Sequence, residues 1–321
     1  MKFLKKAWKK AFSSPLHSET EKKSIWDNSA EQYQTKGFKL YWETLPEIAK
    51  YQRKCMTGDE NLDYFAYTLD YVRSNIGTKN LRALSIGCTE GNPGPEVTLF
   101  RTGLFSKIDV MDIADGLIAK QAKIASDLGL TEISYRQTDL NNAVLEKNAY
   151  DLIWAVGTVH HIENLESLFD GVSDALTENG VFMMREFIGP NRFQFSDEQL
   201  GYVNEILSIL PTKYKMTMEG VIKSTTRNIE VAELIKIDPS ESVRSQEIMP
   251  VMRDRLDVFK LSYTGGTILF YLLAGIASNF ENDEDAEAIL KLLIMFERTL
   301  VEKNAIPSDY VFCMAKKRKR S

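Results

Sequence analysis

Residues 84–91, with the sequence LSIGCTEG, are the most informative segment of the chain for its fold. It begins with aliphatic residues typical of a buried strand and ends in a loop that carries Gly87 and Gly91. A glycine at the end of a strand has no Cβ, so a ligand can approach the backbone closely there. The stretch therefore predicts a strand followed by a ligand-binding loop.

Outward from this stretch, short apolar runs alternate with helical patterns, as in a doubly wound α/β sheet. In chain order, strands are predicted at residues 81–87, 107–112, 132–136, 150–156 and 181–188, with helices at 116–128 and 164–176. Nearly continuous apolar runs such as LIWAV are typical of parallel strands, because these are buried on both faces. In such a sheet we expect ligands to bind at the carboxyl ends of the strands.

Acidic residues follow the next two strands of this predicted sheet. Asp112 closes the second strand, about 25 residues after Gly87, where a carboxylate can accept hydrogen bonds from both hydroxyls of a ribose. Asp139 follows the third strand, at a position suited to accept from an adenine amino group. Two glycines and two acids at neighbouring strand ends thus predict a nucleoside-binding site.

With these residues in place, the chain resembles the class I S-adenosylmethionine-dependent methyltransferases, in particular small-molecule enzymes of one bacterial subgroup with a C-terminal helical extension. The segments that carry the resemblance are 26–33, similar to the family's lid, and 84–91, 110–112, 138–140 and 150–161. The resemblance implies an α/β fold with a Rossmann-like, doubly wound seven-stranded sheet in the order 3-2-1-4-5-7-6. Residues 255–261 and 309–315 are similar to its last two strands.

The resemblance also implies the cofactor, S-adenosyl-L-methionine, with S-adenosyl-L-homocysteine as its product. The residues that would contact it are Tyr33, Ser85, Gly87, Cys88, Gly91, Asp112, Ile113, Asp139, Leu140, Ala155, Val156 and Gly157. The loop departs from the family's usual pattern: Ser85 replaces an acid, Thr89 replaces the middle glycine, and Glu90 adds a carboxylate beside the expected methionine moiety. A protein of this fold that performs other chemistry, or binds the cofactor only as a ligand, is therefore the first alternative.

Composition divides the chain into five segments. They are a basic amphipathic segment and linker at 1–24, a helical lid segment at 25–76, the cofactor-binding core at 77–195, a helical and loop cap insertion at 196–254, and the last two strands with helices between them at 255–321. In the last two segments, helices are predicted at 197–210, 267–280 and 285–302.

Three residues of the core are candidates for catalysis. Transfer to oxygen or nitrogen needs an acceptor held in line with the donor and can need a base for the acceptor's proton. His160 and His161 follow the fourth strand at the mouth of the predicted site, so each is a candidate base, substrate contact or structural histidine. Glu186 is polar within an apolar strand and could bind substrate, act as a base, or pair with Arg185 or Arg192.

Three further residues are candidates for the acceptor pocket. Arg192 could hold a phosphate or a carboxylate. Arg244, in DPSESVRS, and Tyr263, in YTGG, belong to segments similar to parts of the same bacterial subgroup. Both could instead lie in surface loops or at helix caps. The predicted acceptor is a hydroxyl or amine on a small molecule, a sugar or a lipid-linked metabolite.

Composition limits the remaining classes of protein. The chain has 321 residues, of which 44% are hydrophobic and 26% charged, as in soluble globular proteins. Its net charge of -5 predicts no nucleic-acid partner. Three widely separated cysteines form neither a disulfide framework nor a zinc spacing, so we expect a cytoplasmic protein without a metal site.

The first twelve residues, MKFLKKAWKKAF, form a separate pattern. Their apolar residues recur at helical spacing and five lysines occupy the other face, as in a basic amphipathic helix. Such a helix could contact the inner face of an anionic membrane, pack on the domain, or remain a solvated tail. No apolar run reaches the roughly 18 residues of a membrane span, so a protein that acts at the membrane surface is the second alternative.

Overall fold

A seven-stranded sheet forms the centre of the protein in the computed structural model, which describes residues 42–217, 220–281 and 283–318. The strands are β1 (Leu81–Ile86), β2 (Phe105–Asp112), β3 (Ile133–Gln137), β4 (Tyr150–Val156), β5 (Leu176–Phe187), β6 (Leu256–Tyr263) and β7 (Tyr310–Lys317). Their order is β3-β2-β1-β4-β5-β7-β6. The strands β1 to β5 pair in parallel, and β7 runs antiparallel to both β5 and β6. The predicted fold and strand order are confirmed.

Ten α-helices accompany the strands within the described residues. They are α1 (Pro46–Thr57), α2 (Tyr64–Asn75), α3 (Pro95–Arg101), α4 (Asp115–Asp127), α5 (Leu165–Ala175), α6 (Asp197–Ile209), α7 (Val231–Ile237), α8 (Ile248–Arg255), α9 (Leu269–Leu273) and α10 (Glu284–Glu302). Local sequence explains where two of them begin. The side chain of Asp63 accepts from the backbone N–H of Phe65 at the start of α2, and Ser196 with Gln199 forms a capping box at α6. None of these helices has both the length and the apolar character that crossing a bilayer requires.

Both faces of the sheet are buried, because alternate residues of each parallel strand enter different cores. In β4, Ile153 and Ala155 belong to one hydrophobic cluster, and Leu152 and Trp154 belong to the other. A third cluster joins apolar residues of α1, α6, α9 and α10 and packs on Phe187 at the carboxyl end of β5. The helices of the second half of the chain therefore cover the edge of the sheet where the predicted site lies.

One predicted helix is wrong. The sequence predicts a single helix over residues 267–280, but the structure has the five-residue α9 and then a separate 3₁₀ turn at Ala277–Phe280. The chain between them passes through Gly275, whose φ of 77° lies in the left-handed region and cannot continue an α-helix. The segments 1–24 and 26–33, including Tyr33, lie outside the described residues.

Candidate cofactor and acceptor site

The loop after β1 is tied to the end of β2 by Asp112. One carboxylate oxygen, Oδ2, accepts a hydrogen bond from the backbone N–H of Cys88 at 2.7 Å, and Oδ1 accepts from the N–H of Ala114 at 2.8 Å. The N–H of Thr138, after β3, donates to the carbonyl of Asp112 at 2.7 Å. The ends of β1, β2 and β3 thus converge at one edge, as the sequence predicts for a nucleoside site.

Gly87 is required where it stands, because the loops after β1 and β4 approach closely. Its φ is 97°, and a Cβ built on it would lie 2.1 Å from the hydroxyl oxygen of Thr158. The adjacent Ser85 is buried, and its hydroxyl donates to the carbonyl of Gly87 at 2.7 Å. The serine that replaces the family's acid therefore stabilises the turn itself.

Residues that the sequence reasoning did not identify hold the second half of this loop. The amide of Gln121, in α4, donates to the carbonyls of Thr89 and Gly91 at 2.8 and 2.6 Å. Glu96, at the start of α3, is 1% exposed and accepts from the hydroxyl of Tyr135 at 2.8 Å. Burial raises the pKa of Glu96. No sequence pattern marked Glu96, because the seven-residue helix that carries it has too little periodicity to be recognised.

A cavity of about 250 Å³ lies beside this loop. Its lining residues are Tyr64, Phe65, Ser85, Ile86, Gly87, Thr89, Pro95, Trp154 and Val156. Tyr64 and Phe65 contribute aromatic rings from α2 to this lining, and the ring of Phe65 meets Trp154 edge-on at 6.1 Å. The buried hydroxyl of Thr89 has no hydrogen-bond partner within the described residues, so a polar group of a ligand would satisfy it. Glycine backbone, an acid at the end of β2 and an unpartnered hydroxyl fit a nucleoside cofactor.

The other predicted cofactor residues lie around this edge in different settings. Asp139 accepts from its own loop, through the backbone N–H of Asn141 at 2.9 Å and the amide of Asn142 at 2.8 Å, so a contact with adenine stays a prediction. The N–H of Gly157 donates to the carbonyl of Arg185 at 3.0 Å. Ile113, Leu140, Ala155 and Val156 follow or end the strands β2, β3 and β4.

A cluster of imidazoles and carboxylates lies where β4 and β5 end. His160 donates from Nδ1 to Oε1 of Glu186 at 2.5 Å, and its Nε2 is 3.4 Å from Oε1 of Glu241. The rings of His160 and His161 lie 4.0 Å apart between centroids. Nδ1 of His161 is 3.8 Å from Oδ2 of Asp238. The structure therefore brings together the three predicted catalytic residues and adds two acids of the cap.

Both carboxylate oxygens of Glu186 are fully engaged in hydrogen bonds within the protein. Its side chain is buried, and Oε2 accepts from the backbone N–H groups of Thr158 and Val159 at 2.8 and 2.6 Å. Oε1 accepts from the N–H of Phe187 at 2.8 Å as well as from His160. The pairing with Arg185 or Arg192 that the sequence left open is not the one found. Arg185 instead bonds to Glu43 and, at 3.1 Å, to Gln52.

Burial and neighbouring charges together displace the pKa values of the cluster's members in opposite directions. Burial by itself lowers the pKa of His160, but the charge and the hydrogen bond of Glu186 outweigh it and raise that pKa to about 9. Burial, with the neighbouring His160, lowers the pKa of His161 well below its ordinary value. Burial raises the pKa of Glu241 to about 7, and Asp238 adds to the rise. The cluster thus holds both a readily charged and a neutral imidazole.

Arg192 and Arg244, which the sequence predicts in the pocket for the methyl acceptor, donate hydrogen bonds that hold the cap. Nη1 of Arg192 donates to the backbone carbonyls of Pro239 and Glu241 at 2.7 and 3.1 Å. The same segment donates from the N–H of Val243 to the carbonyl of His160 at 3.1 Å. Residues 238–245 are thereby fixed across the end of β4.

Arg244 fixes the other end of this segment. It donates to both carboxylate oxygens of Glu166, each at 2.8 Å, and to Glu247 at 2.7 Å. Tyr263 is half-exposed at the end of β6. Contact of Arg192, Arg244 or Tyr263 with an acceptor stays a prediction.

Comparisons with known proteins find methyltransferases that are similar to part of this chain. Residues 84–182 match a family model described as a methyltransferase domain. The sterol 24-C-methyltransferase of Clavispora lusitaniae is 25% identical over 160 residues, which are 47% of this chain and 41% of that protein; that of Candida albicans is 24% identical over 157 residues, with the same coverage. The chain therefore spans about two-fifths of the length of these relatives.

Solved structures with a similar fold have low sequence identity. A geranyl diphosphate C-methyltransferase from Streptomyces coelicolor A3(2) has a TM-score of 0.44 and 14% identity, covering 79% of this chain and 80% of its own. The phosphoethanolamine N-methyltransferase 2 of Haemonchus contortus has a TM-score of 0.48 and 12% identity, covering 90% and 60%. Residues 84–182 thus match a methyltransferase domain, and the strand order of the whole sheet is the one expected from the resemblance to the class I S-adenosylmethionine-dependent methyltransferases.

Proposed function

We propose that this chain transfers the methyl group of S-adenosyl-L-methionine to an oxygen or nitrogen atom of a small molecule, a sugar or a lipid-linked metabolite. The observation that carries the proposal is the junction of Asp112 with the glycine loop after β1, beside a cavity with an unpartnered hydroxyl. The match of residues 84–182 to a methyltransferase domain supports it.

The residues around the cavity divide the binding of the donor between them. When bound, the cofactor supplies an electrophilic methyl group on a sulfonium cation. Asp112 would accept from the ribose hydroxyls, and the backbone at Gly87 would admit the cofactor closely because no Cβ intervenes. The rings of Tyr64 and Phe65 line the cavity and would help to exclude water from around the bound cofactor. These groups position the donor, which is the main requirement of an in-line displacement.

The acceptor would lie beyond the ends of β4 and β5, against the cluster of His160, His161 and Glu241. These side chains are polar and partly exposed, so they offer hydrogen bonds to a hydroxyl or an amine. Glu186 positions His160 from behind, since its oxygens are already engaged with backbone N–H groups. The sterol methyltransferases to which this chain is similar support a small-molecule or lipid acceptor.

Two measurements test the proposal. Calorimetric titration of the full chain with S-adenosyl-L-methionine and with S-adenosyl-L-homocysteine should show saturable binding of both. Release of S-adenosyl-L-homocysteine should then depend on an acceptor from a panel of sugars, amines and lipid-linked metabolites. Absence of binding at millimolar cofactor would eliminate the proposed enzyme.

A second candidate function is binding of the cofactor without methyl transfer. It is favoured by the loop itself, in which Ser85 and Thr89 replace residues of the family's usual pattern. Binding of both cofactor forms, with no acceptor-dependent turnover across the panel, would favour this candidate.

A further inference from the structure

The cluster at the ends of β4 and β5 has the composition of a metal site. One ligand atom from each of His160, His161 and Glu241 can be chosen so that all three lie within 4.8 Å of one another. We propose that these three side chains bind a divalent transition-metal ion of the Zn²⁺ or Co²⁺ type. The binding itself does not depend on the proposed methyl transfer.

The distance between His160 and Glu241 fits two ligands of one ion. Nε2 of His160 is 3.4 Å from Oε1 of Glu241. Ligand atoms about 2.0–2.1 Å from a tetrahedral ion are themselves about 3.4 Å apart. A separation of this size is long for a hydrogen bond but suits a shared cation.

The orientation of His160 is fixed in the way that metal-binding histidines usually require. Metal-bound imidazoles commonly donate their second N–H to a carboxylate, which sets the tautomer and the direction of the ring. Nδ1 of His160 donates to Glu186 at 2.5 Å, and this leaves Nε2 turned toward Glu241. Glu186 is itself held by the N–H groups of Thr158, Val159 and Phe187. The ring of His160 is thus oriented as the first ligand, and its Nε2 would release a proton to solvent when the ion binds.

The remaining side of the cluster supplies a second imidazole and another carboxylate. Nδ1 of His161 is 3.8 Å from Oδ2 of Asp238 and 3.3 Å from the hydroxyl of Ser240. The same hydroxyl donates to Oδ1 of Asp238 at 2.7 Å, which holds this acid at the edge of the cluster. Asp238 could therefore serve as a fourth ligand or orient His161.

The charge of the cluster also favours a dication. Three carboxylates, those of Glu186, Glu241 and Asp238, surround two imidazoles. The guanidinium of Arg192 lies nearby, but its Nη1 is directed at backbone carbonyls of the cap. A bound dication would offset this negative charge in place of a protonated imidazole.

The kind of ion follows from the ligand atoms. Two imidazole nitrogens with one carboxylate suit Zn²⁺, Co²⁺, Ni²⁺ or Fe²⁺, whereas Mg²⁺ and Ca²⁺ prefer oxygen ligands throughout. The side chains of His160, His161 and Glu241 are 13%, 16% and 21% exposed, so coordination positions would remain open to water or to an acceptor oxygen. An acceptor role for the ion rests on the proposed function.

Metal titration of the full chain tests the site in the absence of cofactor. After treatment with EDTA and dialysis, calorimetry with Zn²⁺ should show about one tightly bound ion per chain. Titration with Co²⁺ should produce the visible d–d absorption of an imidazole-bound ion. No saturable binding of either metal at millimolar concentration would overturn the proposal.

Variants locate the ion. Glu241→Gln and His161→Ala should each weaken Zn²⁺ binding at least tenfold, and Glu186→Gln should weaken it about 10–100-fold by releasing His160. The matched control is Glu163→Gln, an exposed acid close to the cluster, which should bind Zn²⁺ like the parent chain. Equal affinity in Glu241→Gln and the parent would contradict the site. Circular dichroism checks that each variant folds. If Glu186→Gln fails to fold, the Zn²⁺ affinity of Glu241→Gln alone tests the site.

Failure of the metal site and failure of the proposed function give different results. The same preparation is titrated with S-adenosyl-L-methionine in a separate cell. Cofactor binding without metal binding would overturn the metal site and leave the methyltransferase proposal standing. Metal binding without cofactor binding would overturn the methyltransferase proposal and leave the metal site standing.

Discussion

Asp112, at the end of β2, accepts a hydrogen bond at 2.7 Å from the backbone N–H of Cys88, in the loop after β1. The acid is 24 residues from its partner in sequence, and the parallel pairing of β1 with β2 brings the two together. A carboxylate in this position shapes the glycine loop, and the proposed function assigns it the ribose of the cofactor as a second partner.

Replacing Asp112 by alanine should therefore weaken the binding of S-adenosyl-L-methionine. Loss of charge-assisted hydrogen bonds is expected to weaken binding by about 1–3 kcal/mol, which corresponds to a rise in Kd of roughly 5-fold to 150-fold. Calorimetric titration measures it, with Asp127→Ala, an exposed acid at the far end of α4, as the control for the loss of charge. A folded Asp112→Ala variant with unchanged affinity would show that the cofactor binds elsewhere.

Gly87→Ala should destabilise the protein more than the same change at Gly103. Both glycines have positive φ, 97° and 73°, so both substitutions place alanine in the left-handed region at a cost of about 1–2 kcal/mol. A Cβ at Gly103 meets nothing within 4 Å, whereas a Cβ at Gly87 meets the hydroxyl of Thr158 at 2.1 Å. The difference in free energy of unfolding between the two variants, measured in urea, gives the cost of the steric contact alone. Adding Thr158→Ala to Gly87→Ala should restore part of the lost stability. Equal losses at the two positions would refute the close approach of the loops.

Glu297→Ala should lower the free energy of unfolding by about 3 kcal/mol or more. This buried carboxylate, in α10, accepts from the backbone N–H groups of Gly266, Ile268 and Leu269 at 2.8, 2.7 and 2.9 Å, and so closes the first turn of α9. Removing it leaves three donors in the interior without partners. Denaturant unfolding measures the loss, and Glu302→Ala, an exposed acid of the same helix, should change stability little. A loss no larger than that of Glu302→Ala would mean that water replaces the carboxylate.

Asp309→Asn should flatten the dependence of stability on pH between about 4 and 7. Burial raises the pKa of Asp309 to about 7, although hydrogen bonds with Thr267 and Gln199 act against the rise, and the charge of Glu297 adds to it. Between the unfolded pKa, about 4, and this value, the folded protein holds a proton that the unfolded chain has released. The contribution of Asp309 is therefore fully present at low pH and is lost as pH rises through 7.

Urea unfolding at several pH values checks this prediction. Where Asp309 alone accounts for the difference in bound protons, the free energy of unfolding should fall by up to about 1.4 kcal/mol for each unit that the pH rises. Asparagine has no titrating group, so the variant should lose that part of the slope. Identical slopes in the two proteins would show that Asp309 is ionised in the folded state at low pH.

Local patterns predicted the strands well and the irregular elements poorly. The run YDLIWAV became β4 with the predicted bounds, because a continuous apolar run flanked by polar residues leaves little choice of structure. The run at 267–280 is equally apolar, yet it breaks at Gly275, where backbone conformation outweighs hydropathy. The short helix α3 was not predicted, since seven residues carry too little periodicity to be recognised.

The strand order was implied by the resemblance to a known family, whereas the parallel strands and the convergence of Gly87 with Asp112 could be inferred from the residues themselves. Both residues lie at strand ends, and parallel pairing places consecutive strand ends at one edge. The partners of the histidines became known only from the three-dimensional packing. Glu241 is 81 residues from His160, and it reaches that ring because the cap segment is anchored through Arg192 and Val243. No spacing rule connects two such positions, because their contact depends on how the helices of the cap pack over the sheet.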